Sequence, residues 1–124
     1  MKSLSILVVD DVEAFAHLLA EGLRQEGHSV TCAEDGRIAA TLLGERTFDL
    51  VVTDIIMPVS DGFELIDEVR KVQPKARIFA MSGGGNLYSA GACLEAAEQS
   101  GVDAVLRKPF GPQALNEAMV RVFP

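Results

Sequence analysis

A basic cluster, a cysteine framework and a long apolar run are all missing from this chain, and each absence removes a class of function. Lys and Arg number 11 against 18 Asp and Glu, for a formal net charge of -7. Without a basic tail or patch, the chain lacks the electrostatic footprint of a nucleic-acid or anionic-membrane binder. Its two cysteines, Cys32 and Cys93, fall on different expected elements. A disulfide framework is therefore not expected, a reducing compartment fits, and both thiols read as small buried apolar groups. The apolar run that ends in Asp10-Asp11 is too short for a signal-peptide core and has no small-residue cleavage site. No stretch approaches the roughly 20 apolar residues that span a bilayer. A cytoplasmic protein with no nucleic-acid and no membrane partner is expected.

What remains is a globular composition, 48% hydrophobic and 23% charged over 124 residues, the size of one domain spanning 1–124. Short apolar runs alternate five times with segments of helical period. The strand candidates are Ile6 to Val9, Val30 to Ala33, Leu50 to Thr53, Arg77 to Met81 and Ala104 to Leu106. A run such as Leu50-Val51-Val52 carries no polar alternation and predicts a strand covered on both faces.

The first helix is predicted from Asp11 to Gly27, with a core stripe at Ala16, Leu19, Ala20 and Leu23 and a second apolar set at Val12, Phe15 and Leu18. Asp35 caps a second helix that buries Ile38, Ala39 and Leu42. Asp61 and Glu64 have capping-box spacing before a third, through Leu65, Ile66 and Val69. A fourth is predicted from about Tyr88 to Ser100, ending at Gly101. Pro112 opens the fifth, whose inner face is Leu115, Ala118, Met119 and Val122. Right-handed crossovers make this an α/β chain with a doubly wound, five-stranded parallel sheet, order 2-1-3-4-5, and five helices in a three-layer sandwich.

In such sheets ligands bind at the carboxyl ends of the strands, where the order reverses. The residues just past the predicted strands are Asp10-Asp11, Asp54, Ser82 and Lys108. Three carboxylates, a hydroxyl and an ammonium are thus expected at one edge. Clustered carboxylates repel one another unless a cation neutralises them. Oxygen donors with open water positions suit Mg²⁺. His17 and His28 lie at no strand end and the cysteines do not join them, which disfavours zinc. A nucleophilic Asp beside Mg²⁺ and a lysine is equipped for phosphoryl transfer.

At these residues the sequence resembles the receiver-domain family of two-component signalling. The resemblance rests on Val8-Val9-Asp10-Asp11, on Asp49 through Thr53-Asp54-Ile55-Ile56-Met57-Pro58, on Asp61-Gly62, on Met81-Ser82 and on Lys108-Pro109-Phe110, and covers nearly the whole chain. It implies a flavodoxin-like sandwich in which Asp54 is the phospho-acceptor. It also implies that Asp11, Asp54 and the backbone carbonyl of Ile56 hold Mg²⁺, with Asp10 acting mostly through a metal-bound water. Ser82 and Lys108 would bind phosphoryl oxygens, and the Lys108-Pro109 bond would be cis. The donor would be a histidine kinase or a histidine phosphotransfer protein, docking on the first helix through Phe15 and Leu18. Such a chain is a switch and not an enzyme beyond its own Mg²⁺-dependent phosphorylation and dephosphorylation.

Departures from the family pattern bear on output. The aromatic often found three positions before the lysine is Val105 here, and the segment after Ser82 is longer by residues in Gly83 to Tyr88, which makes Tyr88 a replacement candidate. Ile56 and Gly84 offer no polar side chain to orient water, so a slowly hydrolysed acyl phosphate is expected. An aspartyl-phosphate hydrolase would carry a second Asp at position 56, and a non-phosphorylated scaffold would usually have lost an acid or the lysine. No DNA-binding, kinase or cyclase segment follows the fifth helix, so output is expected through protein contacts or from a longer chain.

Overall fold

The computed structural model describes residues 2–55, 62–82, 95 and 99–123. The strands are β1 (Ser5–Val9), β2 (Ser29–Ala33), β3 (Leu50–Asp54), β4 (Arg77–Ser82) and β5 (Ala104–Arg107). They form one sheet in the order β2-β1-β3-β4-β5, every pairing parallel. Around it lie the helices α1 (Glu13–Gln25), α2 (Gly36–Glu45), α3 (Gly62–Val72) and α4 (Pro112–Val122). The predicted architecture is therefore the observed one, with four helices among the described residues where the periodicity predicts five over the whole chain. The helix expected from Tyr88 to Ser100 lies mostly outside the described residues, where Glu95 and Gln99 are helical.

Alternate residues of each central strand serve opposite layers, because successive side chains leave a strand on opposite faces. Ile6, Val8, Leu50, Val52, Phe79 and Met81 face α1 and α4, meeting Ala16, Leu19, Ala20, Leu23, Leu115, Ala118 and Met119. Leu7, Val9, Val51 and Ile78 pack instead with Ala39, Leu43, Leu65, Ile66 and Val69 of α2 and α3. Both faces of β1 and β3 are covered, which is why their runs are continuously apolar.

Several boundaries differ from the sequence expectation. Helix α1 starts at Glu13, not Asp11, with Val12 at the N-cap and no side-chain cap bond. On α2, Asp35 does cap the helix by accepting from Ile38 N at 2.9 Å, but Ile38 is 40% exposed while Leu43 is buried. Leu42 is half-buried against the second core. The inward stripe thus runs through Gly36, Ala39 and Leu43, one helical step from the one predicted. Asp61, the expected partner of Glu64, lies outside the described residues. Gly27 and Gly101 have φ of +93° and +82°, the left-handed backbone that glycine adopts at helix ends without a Cβ clash.

Candidate functional site

Backbone bonds carry the sheet ladders one step past their strands and fix where the chemistry-bearing residues sit. Asp10 N donates to Ala33 O at 3.1 Å, Ile55 N to Met81 O at 3.0 Å, and Lys108 N to Ser82 O at 2.9 Å. Asp10 and Lys108 therefore stand just beyond β1 and β5, while Asp54 and Ser82 are the last residues of β3 and β4, one position earlier than the sequence predicts. Gly62 closes in on this edge: its N–H donates to Ile55 O at 2.7 Å, and a Cβ there would collide with the Asp54 carbonyl and Ile55 Cα. Only glycine lets α3 start so near the end of β3.

The acids and the lysine meet. Lys108 Nζ donates to Asp10 Oδ2 at 2.6 Å and to Asp54 Oδ2 at 2.9 Å. The Asp10 side chain is 0% exposed and that of Asp54 8%, so the ammonium is the counter-charge that makes their burial tolerable. Burial alone would lower the Lys108 pKa, but hydrogen bonds and charge from Asp10 and Asp54 outweigh it and hold the pKa above the ordinary lysine value. The group stays cationic throughout the neutral range. Asp10 uses its second oxygen, Oδ1, to accept from Val12 N at 2.9 Å.

Asp10, Asp11 and Asp54 each offer a carboxylate oxygen within 4.8 Å of the others, with Asp11 exposed. These hard oxygens, open to water on the Asp11 side, fit a divalent ion that keeps part of its hydration shell. Ile56, whose carbonyl is expected to complete the set, lies outside the described residues, as does Tyr88. Ser82 is fully buried, and its Oγ has no hydrogen-bond partner among the described residues. Buried hydroxyls are almost always paired, so this hydroxyl at a charged edge is able to donate to a ligand oxygen. The Lys108-Pro109 bond is cis, as the resemblance implies.

The two expected docking residues part company. Leu18 is 55% exposed, whereas Phe15 is half-buried against the core, with Lys108 Nζ lying 4.7 Å from its ring centroid. Sequence reasoning missed this contact; the signal available was an aromatic one turn into the helix that follows Asp10-Asp11. Cys32 is half-buried rather than buried, and burial raises its thiol pKa, consistent with an inert thiol.

The sequence matches the family described as response regulator receiver domain over residues 6–120. It is 41% identical over 111 residues to a response regulator receiver protein of Anaeromyxobacter sp. (strain Fw109-5), covering 89% of this chain and 45% of that protein. The chain thus spans less than half the length of the first curated relatives it matches. A Burkholderia pseudomallei response regulator crystallised with a phosphorylated aspartic acid, calcium ion and citrate superposes with a TM-score of 0.80 at 32% identity, over 92% of this chain and 65% of the other. The chemotaxis response regulator CheY4 of Vibrio cholerae superposes with a TM-score of 0.84 at 27% identity, over 98% of this chain and 100% of the other.

Proposed function

We propose, from the premise that this chain belongs to the response regulator receiver domain family, that Asp54 accepts a phosphoryl group from a phosphohistidine donor and thereby switches protein contacts. The observation that carries the reading is the convergence of Asp54 with Asp10, Asp11 and Lys108 at an edge that also holds the orphan Ser82 hydroxyl. An Asp54 carboxylate oxygen forms a bond to phosphorus while the donor's P–N bond breaks, and the electron pair leaves with the imidazole. The product is an acyl phosphate. Lys108 then turns its donors from Asp54 Oδ2 to the phosphoryl oxygens, and Ser82 donates its hydroxyl proton to another of them. Mg²⁺ held by Asp10, Asp11 and Asp54 would neutralise charge on the transferring oxygens. The turnover is confined to the chain's own side chain, so the protein acts as a switch and not as an enzyme on an external phosphoester.

Phosphorylation adds about -1.5 to -2 charges at Asp54 and redistributes the hydrogen bonds of Lys108 and Ser82, which is the local change a partner would sense. The donor is a histidine kinase or a histidine phosphotransfer protein, approaching over α1 where Val12 and Leu18 are 51% and 55% exposed. Intact-mass measurement after incubation with acetyl phosphate and Mg²⁺ tests the reading, with Asp54→Ala as control. One phosphoryl gain that vanishes in the variant is expected; no gain in the natural chain, or an equal gain in the variant, would sink it.

A further inference from the structure

We infer that Phe15 is a positioning residue for Lys108, its ring face forming the third wall of the seat in which the ammonium is held for phosphoryl transfer. This rests on the reading of Asp54 given above. Two walls of that seat are carboxylates, Asp10 Oδ2 at 2.6 Å and Asp54 Oδ2 at 2.9 Å. The third is aromatic: Nζ lies over the Phe15 ring, 4.7 Å from its centroid. The ring is itself held in orientation, because it forms a T-shaped pair with Phe110, with centroids 5.4 Å apart and an interplanar angle of 87°.

The contact has a function the carboxylates cannot supply. A divalent cation on Asp10 and Asp54 competes with the ammonium for the same oxygens and repels it. The Phe15 face is the one wall that such a cation does not take. The Lys108 side chain is only 15% exposed, and a cation over an aromatic face is held more strongly when withdrawn from water. Lysine is a flexible four-carbon stem with a mobile point charge. A ring beneath that charge limits where it rests when the carboxylates are shared, and so keeps it where negative charge develops on the transferring oxygens. In this arrangement of roles Phe15 acts through Lys108.

Packing alone is the competing account, since Phe15 also lies against the core. Progressive fluorination separates the two, because it drains the negative face of the ring while leaving its shape nearly unchanged. The full chain carrying mono-, di- or trifluorinated phenylalanine at position 15 is compared with the natural chain and with Phe15→Leu. The measurements are the rate of phosphoryl uptake from acetyl phosphate at saturating Mg²⁺ and the proton resonances of the Lys108 ε-methylene. Uptake should slow with each added fluorine, by about threefold to tenfold across the series. The ε-methylene protons should lie upfield of the ordinary lysine position under the ring current and return to it in Phe15→Leu. A flat uptake series in a chain whose unmodified form is phosphorylated overturns the inference even if Phe15→Leu is slow, since the ring would then be packing only. Absence of an upfield shift overturns it as well. No uptake by the unmodified chain instead overturns the reading of Asp54 and takes the role of Phe15 with it, a result that cannot be confused with a flat series.

Discussion

The two ends of the same parallel sheet use polar side chains in opposite ways. At the amino end they satisfy backbone. Ser5 N donates to Asp49 Oδ2 at 2.8 Å, Ile78 N to Asp103 Oδ2 at 2.8 Å and Leu4 N to His28 Nδ1 at 3.0 Å. Gln73 accepts from Phe48 N at 2.8 Å and donates to the carbonyls of Leu43 at 2.9 Å and Arg46 at 2.6 Å. At the carboxyl end Asp10 and Asp54 share one ammonium, and the Ser82 hydroxyl is unpaired among the described residues. The difference follows from strand polarity. Parallel strands begin with N–H groups in need of acceptors, so acids there become caps. They finish in carbonyls, which offer a carboxylate nothing, so acids at that end either pair with a cation, as Asp10 and Asp54 do, or accept from the N–H groups that open the next helix, as Asp10 does from Val12 N and Asp35 from Ile38 N. Concavity does not mark the distinction: a groove of about 500 Å³ lies at the amino end beside Phe48, Gln73 and Phe123, where the Gln73 side chain is bonded to backbone.

If polar groups at the amino end are structural and those at the carboxyl end are held for a ligand, their removal should separate stability from function. Gln73→Ala should have the largest effect on stability. It forfeits three side-chain bonds to backbone and should cost about 2–3 kcal/mol in urea denaturation, at roughly 0.5–1.5 kcal/mol per bond, while phosphoryl uptake persists. Ser82→Ala should do the reverse. Its hydroxyl contributes no bond among the described residues, so stability should stay within about 0.5 kcal/mol while uptake from acetyl phosphate slows roughly tenfold or more, the loss of one hydrogen bond to a charged group. A large stability loss in Ser82→Ala would erase the contrast.

The smallest effect concerns pH. Burial lowers the His28 pKa below the ordinary histidine value, with Glu26 opposing it. The unfolded chain therefore takes up this proton first as pH falls below about 6.5. Stability is full above that pH, declines as pH drops towards the folded pKa, and levels off beneath it. His28→Asn keeps an acceptor for Leu4 N without titrating, and should flatten the decline seen by denaturation between about pH 7 and pH 5. An unchanged slope would place the acid sensitivity elsewhere.

Much of the fold and most of the site were legible in the chain itself. Continuous apolar runs and i, i+3, i+4 stripes are local signals, so the five strands, the faces of α1 and α3 and the topology could be read from them. The strand-end residues could be read because sheet order brings them to one edge. What local periodicity leaves open is rotation about a helix axis. On α2 the neighbours Ile38, Ala39, Leu42 and Leu43 satisfy two overlapping stripes, and only packing on the sheet turned Leu43 inward and Ile38 out. The same limit hid Phe15, which reads equally as core or as surface patch.

By itself, then, the sequence determined an α/β receiver with Asp54 among Asp10, Asp11, Ser82 and Lys108. Tertiary structure alone decided how those groups are bonded: that Lys108, 98 residues from Asp10, closes onto it and Asp54 over the Phe15 ring, and that the Ser82 hydroxyl finds no partner among the described residues. The reason is one of range. Composition and period report what each residue does within its own element, whereas an ammonium finds its partners only when five strands have been ordered into one edge.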